Sequence, residues 1–244
     1  MGVSYGEGAL SSTGMESMRA IINNTANFGP NGVVPVGALR LDNFTYESSY
    51  SRAELRAKME MYLFLATDAI QNSIMAEVVA EWLDYRFDRV LFVCKNTTTS
   101  NSNLFNLWGK DAMWTDVSSN NNHFYIGNNS NNAYFTKSGP FGSVTGSAGS
   151  FNFAGGWASQ GVKSTSTYLD NLIPLLYYTF NSNTYYTLLI DKNSRIVYIG
   201  NPNIWSTTND ITDATGTIST DKARLIANIW AWAIEEIIIP GKIN

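Results

Sequence analysis

Thr184-Tyr-Tyr-Thr-Leu-Leu-Ile190, Asp191-Lys-Asn-Ser-Arg195 and Ile196-Val-Tyr-Ile199 follow one another without a break. Two apolar runs rich in β-branched and aromatic residues, joined by a short polar turn, predict a β-hairpin over residues 184–199. Gly200-Asn-Pro202 ends the second run. After a polar loop, Asp221 to Ile239 predicts a helix, stopped by Pro240-Gly241. Its polar stripe is narrow, only Asp221, Arg224, Asn228 and Glu235, so burial on several sides is expected.

Working outward, Ser51-Arg-Ala-Glu54 is a capping-box pattern that opens a helix. Leu55, Met59, Tyr62 and Ala66 continue along one face, with Glu54–Lys58 and Arg56–Glu60 spaced as i,i+4 ion pairs. Asp68-Ala-Ile-Gln71 is a second candidate box, and Ile70, Ile74, Val78, Trp82 and Tyr85 form a helical stripe behind it. Residues 51–87 therefore predict two consecutive helices, or one bent near Thr67-Asp68. Asp88 to Lys95 is apolar almost throughout and predicts a central strand.

Elsewhere the pattern is weaker. Residues 1–30 have no sustained period and read as an N-terminal arm, either a disordered tail or one docked on a neighbouring subunit. Val33 to Leu41 predicts a short edge strand, given Pro35 and Gly37. Residues 96–163 read as a loop-rich insertion with short strands at 123–126 and 132–136. Tyr168 to Phe180 fits a short helix before Pro174 or a buried strand after it. The expected fold is α+β or α/β: residues 31–244 as one mixed domain, with helices near 51–87 and 221–239 on a mainly β centre.

Composition excludes several functions. Charged residues make up 15% of the chain, against about 25% in typical soluble domains. A net charge of −4 and no basic run argue against direct nucleic-acid binding. A single cysteine, Cys94, excludes an internal disulfide. The first residues carry neither a basic n-region nor an apolar h-region, and no apolar run is long enough for a membrane span.

Catalytic patterns are equally sparse. His123 is the only histidine, and Cys94 sits in an apolar run where an inert thiol is the default. Neither a Gly-x-Gly-x-x-Gly nor a Gly-x-Ser-x-Gly pattern occurs. Asp191, Asn193, Asn209, Asp210, Asp213 and Asp221 supply oxygens of the kind calcium takes, but turns and caps account for them equally well, so a metal stays open. No cofactor is expected. The candidate interface or ligand residues are Trp108, Trp114, Tyr134, Phe141, Trp157 and Trp205. These rings either anchor loops to the core or a second subunit, or stack on sugars.

Ile196-Val-Tyr-Ile-Gly-Asn-Pro202 with Asp221-Lys-Ala-Arg-Leu-Ile-Ala-Asn-Ile-Trp-Ala-Trp232 resembles the closing strand and helix of glutamine-amidotransferase-like α/β domains. Leu188 to Tyr198 is similar to the late hairpin of thioredoxin-like domains. Neither the nucleophile elbow and His-Glu pair of the first family nor the Cys-x-x-Cys of the second is present, so the resemblance implies fold rather than activity. The expected function is a non-enzymatic structural subunit of a virion, such as a phage, or of another extracellular assembly. It would associate with itself or with other structural subunits through aromatic loops and the arm. A carbohydrate-binding module and a degenerate α/β enzyme domain are the alternatives.

Overall fold

The structure, a computed structural model, describes residues 2–5, 16–37, 40–41, 50–60, 62–67, 70, 72–95, 98–99, 101–117, 123–127, 130–144, 151–152, 159–201 and 215–238. In chain order the first half contains β1 (Gly2–Tyr5), α1 (Glu16–Asn23), β2 (Phe28–Gly29), β3 (Val34–Pro35), β4 (Arg40–Leu41), α2 (Arg52–Met59), β5 (Tyr62–Thr67), α3 (Ser73–Tyr85) and β6 (Val90–Cys94). Then follow α4 (Ser102–Leu107), β7 (Trp114–Val117), β8 (His123–Ile126), β9 (Phe151–Asn152), β10 (Ser159–Lys163), β11 (Ile173–Phe180), β12 (Asn183–Asp191), β13 (Ile196–Ile199) and α5 (Asp221–Ile238).

The main sheet runs β4-β1-β5-β6-β13-β12-β11-β8-β9. Its first five strands are parallel and the rest antiparallel. The predicted hairpin joins the two halves: Leu188 pairs with Ile199 and Asp191 with Ile196, while β13 lies parallel to β6. Alternation along β6 explains why both faces need cover. Val90, Phe92 and Cys94 enter the core under α1 and α5, whereas Leu91 and Val93 enter the one under α2, α3 and α4. This is one mixed α/β domain with helices on both sides of its sheet.

Helix α5 is buried from two directions, as its narrow polar stripe requires. Trp230 stacks on Phe92 at 4.4 Å and meets Phe64 edge-on at 5.3 Å, which fixes α5 on the sheet. Its far side is covered by a π-helical turn, Tyr134–Ser138, whose Phe135 meets Trp232 at 5.9 Å. Asn228 joins the two: its amide donates to the carbonyls of Phe135 (3.0 Å) and Gly142 (3.1 Å) and accepts from the Phe141 amide (3.1 Å). Gly139 lies so close that a Cβ there would collide with that amide.

Several expectations change. Residues 51–87 are not two consecutive helices, because Tyr62–Thr67 forms parallel strand β5 between them. An all-apolar run of that length suits a doubly covered strand as well as a buried helix. The capping box at Ser51 is present, but α3 is capped by Asn72, whose Oδ1 accepts from Ile74 N at 2.8 Å. Asp68, Ala69 and Gln71 lie outside the described residues. The expected i,i+4 pairs give way to pairs between helices: Arg56 bonds Glu81, and Arg52 bonds Glu77 and Glu81.

Residues 1–30 contribute β1, between β4 and β5, and α1, whose Met18, Ile21 and Ile22 are buried. These described residues, Gly2–Tyr5 and Glu16–Asn23, pack into the sheet and the core. Val34–Pro35 pairs only with β2, while Arg40–Leu41 edges the main sheet. Residues 134–138 form the π turn instead of the expected strand. Around Pro174 both alternatives occur in succession: a 3-10 turn at Thr167–Asn171, then β11, with a register shift between Pro174 and Leu176.

Replacing Trp230 by Ala should cost roughly 3–5 kcal/mol, the range for emptying a buried aromatic site. Equilibrium urea unfolding reads this as a lower midpoint, and an unchanged midpoint would contradict the two-sided packing of α5.

Candidate functional site

In sheets of this kind ligands gather at the carboxyl ends of parallel strands, where loops are free to vary. Here those ends of β6 and β13 are held by internal polar contacts. The Lys95 ammonium is 1% exposed and donates to Thr98 O (2.8 Å), Ser102 Oγ (2.7 Å) and Asp111 Oδ1 (2.7 Å). Three partners use all three of its protons. A lysine acting as base or nucleophile needs a free amine, and the hydrogens of this one are all engaged inside the protein.

Asn101 stands at the turn into α4 with φ 55° and ψ 16°, in the left-handed region that asparagine tolerates better than most residues. It is fully buried; Nδ2 donates to Cys94 O (2.5 Å) and Oδ1 accepts from Ile70 N (2.6 Å). A strand-to-helix turn in an unusual conformation is where a nucleophile elbow places its reactive side chain. Here that place holds an amide tying β6 to the segment after β5. At the end of β13, Gly200 fits because a Cβ would strike the Gln160 carbonyl, and the Gln160 N–H donates to the Gly200 carbonyl at 2.9 Å.

A second Lys-Asp pair holds the face beneath α4. Lys110 Nζ donates to Asp191 Oδ2 and to the Tyr198 hydroxyl, both at 2.8 Å. Asp191 also accepts from Ser194 N (2.9 Å), so it shapes the hairpin turn. Asp221 pairs with Arg224 at 2.6 Å. Among the described residues no group of three His, Cys, Asp or Glu side chains is placed to hold a metal. Asp210 and Asp213 lie outside them.

The four aromatic candidates among the described residues pack internally. Trp114 is buried and meets Phe105 at 5.6 Å and Tyr198 at 6.4 Å. Trp108 is half-buried and edge-on to Phe105 at 6.0 Å. Phe141 packs on Phe28 at 5.1 Å, and the Tyr134 hydroxyl donates to Glu235 at 2.8 Å. Trp157 and Trp205 lie outside the described residues. Cys94 is buried; of His123 the structure describes the backbone, in β8.

Two surface features went unread in the sequence. Between α2 and α3 lies a groove of about 490 Å³ over Met59, Val78 and Trp82, rimmed by Arg56, Glu60, Glu81, Asp84 and Arg89. Tyr85, expected on the core-facing stripe, is exposed there; Phe87, two residues on, is exposed with the Arg195 guanidinium over its ring. A polar cavity of about 570 Å³ lies between the π turn, the 3-10 turn before β11 and the hairpin turn. Neither spacing nor composition signals such a meeting of three separate turns.

No protein-family model matches the sequence, and no curated protein matches it. Among solved structures it is similar to the crystal structure of a protein from Bacteroides uniformis ATCC 8492 described as ThuA-like. The TM-score is 0.54 and the identity 10%, over 96% of this chain and 91% of that one. At that identity the likeness is one of fold.

Two outcomes follow. Asn101→Ala strands a buried amide and a buried carbonyl and puts an alanine in the left-handed region. It should cost on the order of 2–4 kcal/mol in urea unfolding, with Asn101→Gly cheaper because glycine accepts the backbone. Burial, first of all, holds the Tyr134, Tyr178 and Tyr198 phenols above the ordinary tyrosine range, aided by Glu235 at Tyr134 and by Asp191 at Tyr198. Unfolded tyrosines ionise near about pH 10, so above that pH the unfolded chain sheds protons that the folded one keeps. Stability from these groups is therefore full below about pH 10 and falls as pH rises beyond it. Tyrosinate absorbance should show them ionising only with unfolding; reversible ionisation of every tyrosine in the folded protein would refute this.

Proposed function

We propose that this chain is a non-enzymatic assembly subunit on a glutamine-amidotransferase-like α/β scaffold, associating with a second copy of itself through the outer face of α2 and α3. One observation carries the reading. Tyr85, 77% exposed, lines the groove over Met59, Val78 and Trp82, and two residues on Phe87 is 83% exposed with the Arg195 guanidinium over its ring. Large rings so exposed next to an apolar groove mark an interaction surface.

The partner is a second copy because the patch suits a two-fold contact. Such a contact uses one surface twice, so protrusion and recess must lie on the same patch. The rim has both signs, with Arg56 and Arg89 against Glu60, Glu81 and Asp84, which allows opposite charges to meet across the axis. Of the loop aromatics first expected to serve this role, Trp108, Trp114, Tyr134 and Phe141 pack internally, and Tyr85 at the end of α3 offers a ring in their stead. The commitment of Lys95 and Asn101 to internal bonds supports a role without catalysis. A surface poor in charge and rich in Asn, Ser, Thr and Gly supports placement in a virion or another extracellular assembly.

Sedimentation velocity should find the 27.0 kDa chain as a dimer or larger species. The double change Tyr85→Ser and Phe87→Ser should shift it to monomer without lowering the unfolding midpoint, since both rings are exposed. A wild-type monomer at high concentration would sink the proposal.

A further inference from the structure

The polar cavity lies at the amino end of the parallel strands, away from their carboxyl ends. The hairpin turn that lines it leads into β13, and Ile173, which opens β11, pairs with Ile190. Asn131, Tyr134, Asp170, Asn171, Lys192 and Asn193 converge on it from the three turns. Leu172 and Ile173, both buried, give it an apolar floor.

Most charged side chains described above are paired: Arg52, Arg56, Arg86, Arg89, Lys95, Lys110 and Arg224 all have carboxylate partners. At the cavity, Asp170, Asn171 and Asn193 are exposed and Lys192 half-buried. The side chains of Asp170, Asn171, Lys192 and Asn193 make no hydrogen bond or ion pair to any described residue. One cation, one anion and two amides are thus free to bond elsewhere, while the Tyr134 hydroxyl is held by Glu235 and leaves its ring as surface.

We infer that this cavity binds a neutral saccharide. A volume of about 570 Å³ falls within the roughly 300–1,000 Å³ of small-molecule sites. Sugar hydroxyls both donate and accept, which suits a set combining a donor-only ammonium, an acceptor-only carboxylate and amides that do both. The C–H faces of a sugar ring need apolar surface, which the half-buried Tyr134 ring offers at the cavity wall. A phosphate would meet Asp170 opposing the single Lys192, and a divalent cation would find one carboxylate only. The cavity shares no lining residue with the α2–α3 groove, so either proposal can fail while the other stands.

Saturation-transfer NMR on the full chain, with neutral mono- and disaccharides (glucose, galactose, mannose, N-acetylglucosamine, lactose), tests this. At least one should bind, and Asp170→Ala, Asn171→Ala and Lys192→Ala should each weaken it roughly tenfold, the equivalent of about one hydrogen bond. Unfolding midpoints should stay put, since none of the three side chains is bonded internally. The inference falls if no saccharide shows transfer, if the three variants bind as well as wild type, or if glycine or glutamine binds at these residues while sugars do not.

Discussion

Burying one helix from two directions is the constraint on which this structure depends. Helix α5 is apolar around most of its circumference, so a single sheet face cannot hide it. The sheet takes one side through Phe92 and Phe64 against Trp230, and the π turn takes the other through Phe135 against Trp232. A polar group caught between two apolar layers must find partners or cost several kcal/mol. Asn228 meets that demand by bonding three backbone groups of the covering segment. The helix therefore sets the position of residues 135–142, a stretch otherwise without strong preferences of its own.

The same accounting applies at the carboxyl ends of the strands. A scaffold of this class offers that edge for chemistry because its loops sit above aligned backbone dipoles and are free to vary. Here Lys95 and Asn101 are drawn inward and saturated, and each ties β6 to a neighbouring segment. Among the described residues, Asp170 and Lys192, at the turns of the opposite end, make no internal side-chain bond. Large apolar side chains are exposed at the end of α3 and just after it, at Tyr85 and Phe87. A shared fold with a ThuA-like protein is compatible with such redistribution, since function resides in sites rather than in folds.

Much of the scaffold was legible in order of how local its signals are. The hairpin over 184–199 and the helix from Asp221 combine period, turn residues and stop signals within one short window. The capping box at Ser51 is equally local. Tyr62–Thr67 was misread because a run apolar at every position carries no period with which to separate strand from helix. Residues 2–5 offer too short a run to signal a strand, yet pairing on both sides holds them in the sheet. Of the candidate site, the sequence marked Tyr134 as a ring and Asn193 as a turn residue; nothing in it joined either to Asp170 or Lys192.

By itself, then, the sequence determined that this chain is a mixed α/β domain closed by a hairpin and a buried helix, poor in charge and without a recognisable catalytic motif. Those properties depend on composition and on neighbours within a few residues. Only the tertiary structure decided which polar groups are spent and which remain available. Lys95 and Lys192 are the same residue type in similarly polar surroundings along the chain, but one is enclosed by Thr98, Ser102 and Asp111 and the other faces a cavity. Likewise Trp114 packs inside while Phe87 lies outside. The physical reason is that hydrogen bonding and burial depend on distance in space, and the segments meeting at these places are brought together by the sheet rather than by adjacency in the chain.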